Sequence, residues 1–239
     1  MSFYINNSGT WTQVQQSYVN SGGTWYSVKE QYINDNGTWR PIFYASGSSN
    51  YTTAGTYSFT VPAGVFSINT TVIGGGGGGG GCDGGGDNHA GGGGGSGGIS
   101  SSSLSVTPYE TLSITVGSGG HRASVYFNTW IFTNDYYGRN AGSGTNSYIS
   151  RSGSTLIQAT AGAGGGGSSG DSCIAWSGAG GSPNGVSGGS INCNRNWYGA
   201  TLGGQLSGYS YGKGGNSHGN PGYWINSEDG TAGAVLISW

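Results

Sequence analysis

The residue types able to carry out chemistry are few and scattered. Cys82, Asp83, Asp87 and His89 fall in one short stretch. They are metal-binding types, but no two have the spacing of a zinc finger, so the stretch reads as polar loop chemistry. His121 and His218 stand alone, and no carboxylate pair in the sequence points to glycoside hydrolysis. Gly212-Lys213-Gly214 lacks the Ser or Thr of a phosphate loop. No enzyme, metal or cofactor is expected. Recognition chemistry is richer. Tyr126, Phe127, Trp130, Phe132, Tyr136 and Tyr137 crowd into residues 121–151, with Arg139 and Tyr148. Trp176 follows, then Trp197 and Tyr198 beside Arg195, then Tyr209 and Tyr211, then Tyr223 and Trp224 beside His218. Rings set among Ser, Gly and Asn are the mixture of antibody paratopes, with large contact area and adaptable hydrogen bonds. Some of these rings must instead cover a scaffold that has little apolar core. For the set as a whole, receptor contact is the expectation, because exposed aromatic patches usually mark binding sites.

Glycine must build the scaffold that positions them. The chain has 55 Gly and only 5 Pro, a level usually associated with low complexity. Aromatics at 13% and charge at 7% oppose disorder, since rings can be buried and little self-repulsion holds the chain open. Glycine runs occupy 74–81, 84–86, 91–95 and 164–167, with Gly-Gly pairs further on. An ordered glycine gains nothing from side-chain burial, so backbone hydrogen bonds to neighbouring segments must hold it. Without Cβ atoms, extended threefold helices can pack closely, but the every-third-Gly rule of collagen is missing. The expected class is all-β and irregular: N-terminal short β repeats, then a glycine-rich body of β-hairpins and packed polyglycine-II-like helices with long loops and minimal α-helix. Expected strands are 56–61 and 65–73 around a Pro62-Ala63-Gly64 turn, 104–107 and 110–116 around Pro108-Tyr109, then 155–160 and 232–239.

Residues 4–42 hold a 14-residue repeat. Its units run Tyr4 to Trp11, Tyr18 to Trp25 and Tyr32 to Trp39, each with an Asn/Ser/Gly cluster before Thr-Trp. That cluster between strand formers signals a small hairpin. A unit this short cannot bury its own apolar face, so the units must lean on each other or on a partner. Three equivalent units suit a pseudo-threefold plug on a trimeric shaft, through Tyr4, Trp11, Tyr18, Trp25, Tyr32 and Trp39. A linear mini-repeat stacking on itself is the other reading. The division expected is 1–44 for attachment, 45–55 as linker and 56–239 as a receptor-binding domain.

Charge narrows the partners. A formal net charge of −2 and scattered Lys and Arg leave no basic patch, so neither nucleic acid nor an anionic membrane is expected. No stretch has the run of apolar residues needed to span a bilayer. The first residues lack the features of a secretion signal, which suits a component made in a cytoplasm and released by lysis. Cys82, Cys173 and Cys193 are too few and too irregular for a disulfide framework.

Phe59-Thr60-Val61-Pro62-Ala63-Gly64-Val65, then Val72-Ile73-Gly74-Gly75-Gly76, Val106-Thr107-Pro108, Leu112 to Gly117 and the closing Ala234 to Trp239 together resemble the glycine-rich domain of bacteriophage tail-fibre proteins. The resemblance covers about residues 56–239, and the Trp repeats resemble short repeats of such fibres. It implies a tip adhesin on a trimeric shaft, acting outside the cell. Its variable loops would bind a bacterial outer-membrane protein or surface glycan. The runner-up is a glycine-rich ice-binding or structural protein, which would favour a flat repetitive face. A tail-associated depolymerase is a third class.

Overall fold

A computed structural model describes residues 4–13, 17–28, 30–44, 46–81, 90–123, 139–168, 174–192, 200–218 and 227–239. Strands, turns and irregular segments make up all of them, and no helix occurs among the described residues.

Three antiparallel hairpins open the chain. β1 (Tyr4–Asn7) pairs with β2 (Thr10–Gln13), β3 (Ser17–Ser21) with β4 (Thr24–Val28), and β5 (Glu30–Asp35) with β6 (Thr38–Tyr44). Asn6 stands opposite Trp11, Asn20 opposite Trp25 and Asn34 opposite Trp39. Both residues of each turn have positive φ: Ser8 and Gly9, Gly22 and Gly23, Asn36 and Gly37. That geometry matches the twist of paired strands. The Asn three residues before the second turn glycine explains the spacing in the repeat. Its Oδ1 accepts the N–H of Gly9 at 2.8 Å, of Gly23 at 3.2 Å and of Gly37 at 2.8 Å.

The next strands form two layers. They are β7 (Ser48–Tyr51), β8 (Gly55–Thr60), β9 (Ser67–Ile73), β10 (Ile99–Ser105), β11 (Thr111–Val116), β12 (Ser147–Arg151) and β13 (Ser154–Ala159). Four two-residue strands follow, β14 (Ile174–Ala175), β15 (Ile191–Asn192), β16 (Ala200–Thr201) and β17 (Ser217–His218), before β18 (Ala234–Ser238) ends the set. The two main antiparallel sheets have the orders β10-β9-β18-β7 and β13-β12-β11-β8. Alternation along β9 and β11 buries Ile68 and Val72 against Leu112, Ile114 and Val116, joined by Phe59, Ile149, Ile157, Val235 and Ile237. This is the main apolar core, and neither sheet closes into a barrel.

Three expectations change here. The Pro62 and Pro108 turns do not make hairpins. β8 pairs with β11 while β9 pairs with β10 and β18, so each of these turns crosses between sheets. Connections at 61–66 and 106–110 are long enough to bridge the roughly 10 Å between packed sheets, and Val61, Val65 and Val106 bury themselves in that gap. Residues 48–51, inside the stretch read as a linker, form edge strand β7 on β18. Residues 147–151, inside the longest aromatic-rich stretch, form β12, which makes a hairpin with β13.

Beyond the sandwich, ten segments run side by side: 74–81, 90–98, 117–123, 139–146, 160–168, 174–181, 185–192, 200–206, 213–218 and 227–233. Backbone hydrogen bonds join them in a pattern that repeats every three residues. Gly74, Gly77 and Gly80 donate to Gly98, Gly95 and Gly92. Gly75, Gly78 and Gly81 donate to Thr145, Gly142 and Arg139, and Gly76 and Gly79 to Thr231 and Glu228. Carbonyls of the same segment accept from Gly162, Gly165, Gly120, Ala123 and Gly215. Segment 74–81 is thus enclosed by six neighbours, three receiving its N–H groups and three supplying its carbonyls. Segment 90–98 is enclosed in the same way, donating to 160–168, 185–192 and 212–215. This accounting satisfies the buried backbone without side chains. It also explains the glycines: a Cβ on Gly77 would fall on the carbonyl of Ala163. Ala90, at one end, and Ser96 are the two residues of the enclosed pair that are not glycine. The Ser96 hydroxyl accepts the N–H of Val186 at 2.8 Å and donates to the carbonyl of Gly97 at 3.0 Å.

Candidate recognition surface

The register fixes which end of the bundle each residue occupies. Gly74 meets Gly98 next to the sandwich, and Gly80 meets Gly92 at the far end. The same end holds Gly81 with Arg139 and Ser168, Gly166 with Trp176, Gly189 with Leu202, and Asn216 with Glu228. Residues 81 and 90, 123 and 139, 168 and 174, 192 and 200, and 218 and 227 therefore all stand at the far end. Tight turns around 182–184 and 207–208 lie at the sandwich end. At the opposite pole of the sandwich, Gly47 and Ser48 pair with Trp239 and Ser238. The hairpins therefore join the body at the pole farthest from the bundle's far end.

That far end is braced by polar contacts. The buried Ser217 and Ser227 hydroxyls both donate to the carbonyl of Gly80, at 2.7 Å and 2.5 Å. Two donors on one oxygen use both of its lone pairs. The Arg122 N–H donates to Asp229 Oδ1 at 2.7 Å, and Asn216 Nδ2 donates to Glu228 Oε2 at 2.6 Å.

Trp176 is placed there, 73% exposed while its carbonyl accepts the N–H of Gly166. An indole that open, on a segment anchored by its backbone, is free to meet a partner. Leu202 is 66% exposed at the same end. Sequence reasoning missed it, because no periodicity distinguishes a lone leucine beside Gly203 from a core residue. Tyr209 and Tyr211 lie apart from Trp176. They are half-buried at the sandwich end, packed against Ile73, Leu206 and Ala234. Tyr126, Phe127, Trp130, Phe132, Tyr136, Tyr137, Trp197, Tyr198, Tyr223 and Trp224 lie outside the described residues, as do Cys82, Asp83, Asp87 and His89.

The hairpins present the second aromatic set. Strand alternation places Tyr18, Asn20 and Trp25 on one face of the second hairpin, and Tyr32, Asn34 and Trp39 on one face of the third. Trp25 and Trp39 are 68% and 66% exposed. A two-stranded hairpin has no core of its own to bury such rings. Tyr4 and Trp11 occupy the corresponding register positions on β1 and β2.

Residues 52–238 match a family model described as a glycine-rich domain. The match takes in β8 to β18 and the whole bundle, and leaves the three hairpins outside. No curated protein matches the sequence.

Proposed function

The chain belongs to the glycine-rich domain family, and from that premise we propose that it is the tip adhesin of a bacteriophage tail fibre. It recognises a bacterial surface receptor, an outer-membrane protein or a surface glycan, through aromatic-rich stretches. The observation that carries this reading is the placement of the flanks. The described residues on either side of 82–89, 124–138, 169–173, 193–199 and 219–226 share one end of the bundle, opposite the pole where the hairpins join. Those stretches hold most of the Tyr and Trp proposed for receptor contact. A scaffold held by its own backbone can carry such stretches without using their side chains for its stability.

In this reading the ten segments are polyglycine-II-like helices, supported by the three-residue period of their hydrogen bonds. The three hairpins dock on a trimeric shaft, with the exposed Trp25 and Trp39 among the contacts. The protein is a binding module of the virion, without enzymatic activity or cofactor, made in the host cytoplasm and active outside the cell. Binding of the purified chain to a panel of bacteria lacking single surface proteins or glycans tests it. Loss of binding on one receptor mutant is expected, and equal binding to all strains and to glass would overturn it.

One observation favours the ice-binding alternative. The outer face of β9 and β10 carries a hydroxyl ladder, with Ser67 against Ser103 at 2.9 Å and Thr71 against Ser101 at 3.0 Å. A thermal-hysteresis measurement separates the two readings.

A further inference from the structure

The sequence contains Asn followed by Gly at two places, Asn36-Gly37 and Asn184-Gly185. Such pairs are the most prone to spontaneous deamidation, because glycine leaves its own backbone nitrogen unhindered. Both Asn residues sit in turns with positive φ, 51° and 58°. Their surroundings differ. Gly185 is tied into the bundle: its N–H donates to the carbonyl of Gly181 at 2.8 Å, and a Cβ there would strike the backbone of Gly181. Gly37 has open space around it, and its N–H donates to the Asn34 side chain at 2.8 Å.

We propose that Asn36 is a deamidation site of this protein and that Asn34 restrains it. Loss of the Gly37 N–H proton to solvent base frees a nitrogen lone pair. That nitrogen attacks Cγ of Asn36, and the side-chain nitrogen leaves as ammonia, closing a succinimide. Water then opens the ring at either carbonyl, giving aspartate or isoaspartate and one new carboxylate. While Asn34 Oδ1 holds the Gly37 hydrogen, that nitrogen keeps its proton and its orientation. The other two hairpins are internal comparisons. They share the turn geometry and the restraining Asn, but carry Ser8 and Gly22 where the third carries Asn36. Of the three, the third alone has an Asn-Gly pair at its turn, where deamidation adds a carboxylate and, as isoaspartate, an extra backbone atom that would disturb the pairing of Asp35 with Thr38.

The test incubates the full chain in mildly alkaline buffer at body temperature. Chymotryptic peptides are mapped by mass spectrometry, with isoaspartate methyltransferase labelling. Deamidation in the peptide spanning residues 33–39 should proceed several-fold faster than at Asn184. Asn34→Ala should accelerate it several-fold further, and Asn34→Asp, which keeps an acceptor oxygen, should hold it near the original rate. Equal or faster reaction at Asn184, no response to Asn34→Ala, or equal acceleration by both variants would overturn the proposal.

Discussion

Gly47 and Trp239 exchange both of their backbone hydrogen bonds, each at 3.0 Å. A Cβ on Gly47 would lie inside the Trp239 indole, whose ring in turn tilts against Phe59 with centroids 5.6 Å apart. The clasp thus fastens the chain just before β7 to its last residue, at the pole where the hairpins join. Gly47→Ala should cost about 1–3 kcal/mol through overpacking. Chemical denaturation of the variant, with m unchanged, measures it.

The bundle should be less forgiving. Gly77→Ala puts a methyl on the carbonyl of Ala163, inside an enclosed segment with no flexible neighbour to yield. A loss of at least about 3 kcal/mol is expected. Gly153→Ala is the contrast. Gly153 has open space but φ of 83°, so the cost is conformational alone, about 1–2 kcal/mol. Thermal melting of the two variants side by side gives the comparison.

Binding and stability should separate at two aromatic positions. Trp176→Ala removes an exposed ring and should leave the melting midpoint nearly unchanged while lowering attachment to receptor-bearing cells. Tyr211→Ala removes packing on Ile73 and Leu206 and should cost about 1–2 kcal/mol. Cell binding of the Tyr211 variant below its melting point should be retained.

Deletion of residues 1–42 should abolish attachment to the fibre shaft while the sandwich still folds, since β7 to β18 draw no strand from the hairpins. Co-purification with the shaft, alongside far-ultraviolet circular dichroism, reads both effects. Retained attachment would remove the docking role from Trp25 and Trp39.

Burial raises the pKa of Tyr51 above its ordinary 10.0, opposed by a hydrogen bond with Ser49. Its folded value exceeds its unfolded value, so its contribution is fully present below pH 10.0 and fades as pH rises through the folded value. The urea midpoint should fall at strongly alkaline pH, and Tyr51→Phe should flatten that fall relative to the parent chain.

Strands β8, β9, β11, β13 and β18 were legible, because alternation at Phe59, Ile68, Leu112 and Ile114 is the imprint of a half-buried sheet. Strand β12 was not expected, and β10 runs over Ile99–Ser105 rather than 104–107, because the serines of 100–103 carry no apolar signal. The pairing of the strands was not legible, because Pro62 and Pro108 announce a turn without saying whether the chain returns to the same sheet or crosses to the other. β7 escaped notice because Ser48, Ser49 and Asn50 carry no apolar signal, and backbone bonding to β18 holds them. The hairpin turns were legible from the Asn/Ser/Gly cluster before each Thr-Trp, but the role of Asn34 as acceptor for the Gly37 N–H was not. At the candidate site, nothing in the residue types distinguished Trp176, left open, from Tyr209 and Tyr211, which pack. That distinction depends on which end of the bundle each segment reaches, and glycine runs conceal their own register.

The order of synthesis sets a condition on folding. Segment 74–81 is made early, but the neighbours that receive its N–H groups include 139–146 and 227–233. Strand β18, Ala234–Ser238, lies between β9 and β7 in its sheet. A nascent chain that stops short of residue 227 lacks both an inner strand of one sheet and part of the shell around its first glycine run. Those glycines must wait in water until residues 227–238 have been made, and the body then assembles as one unit from contacts distant in sequence. Late truncations should therefore yield no partial domain.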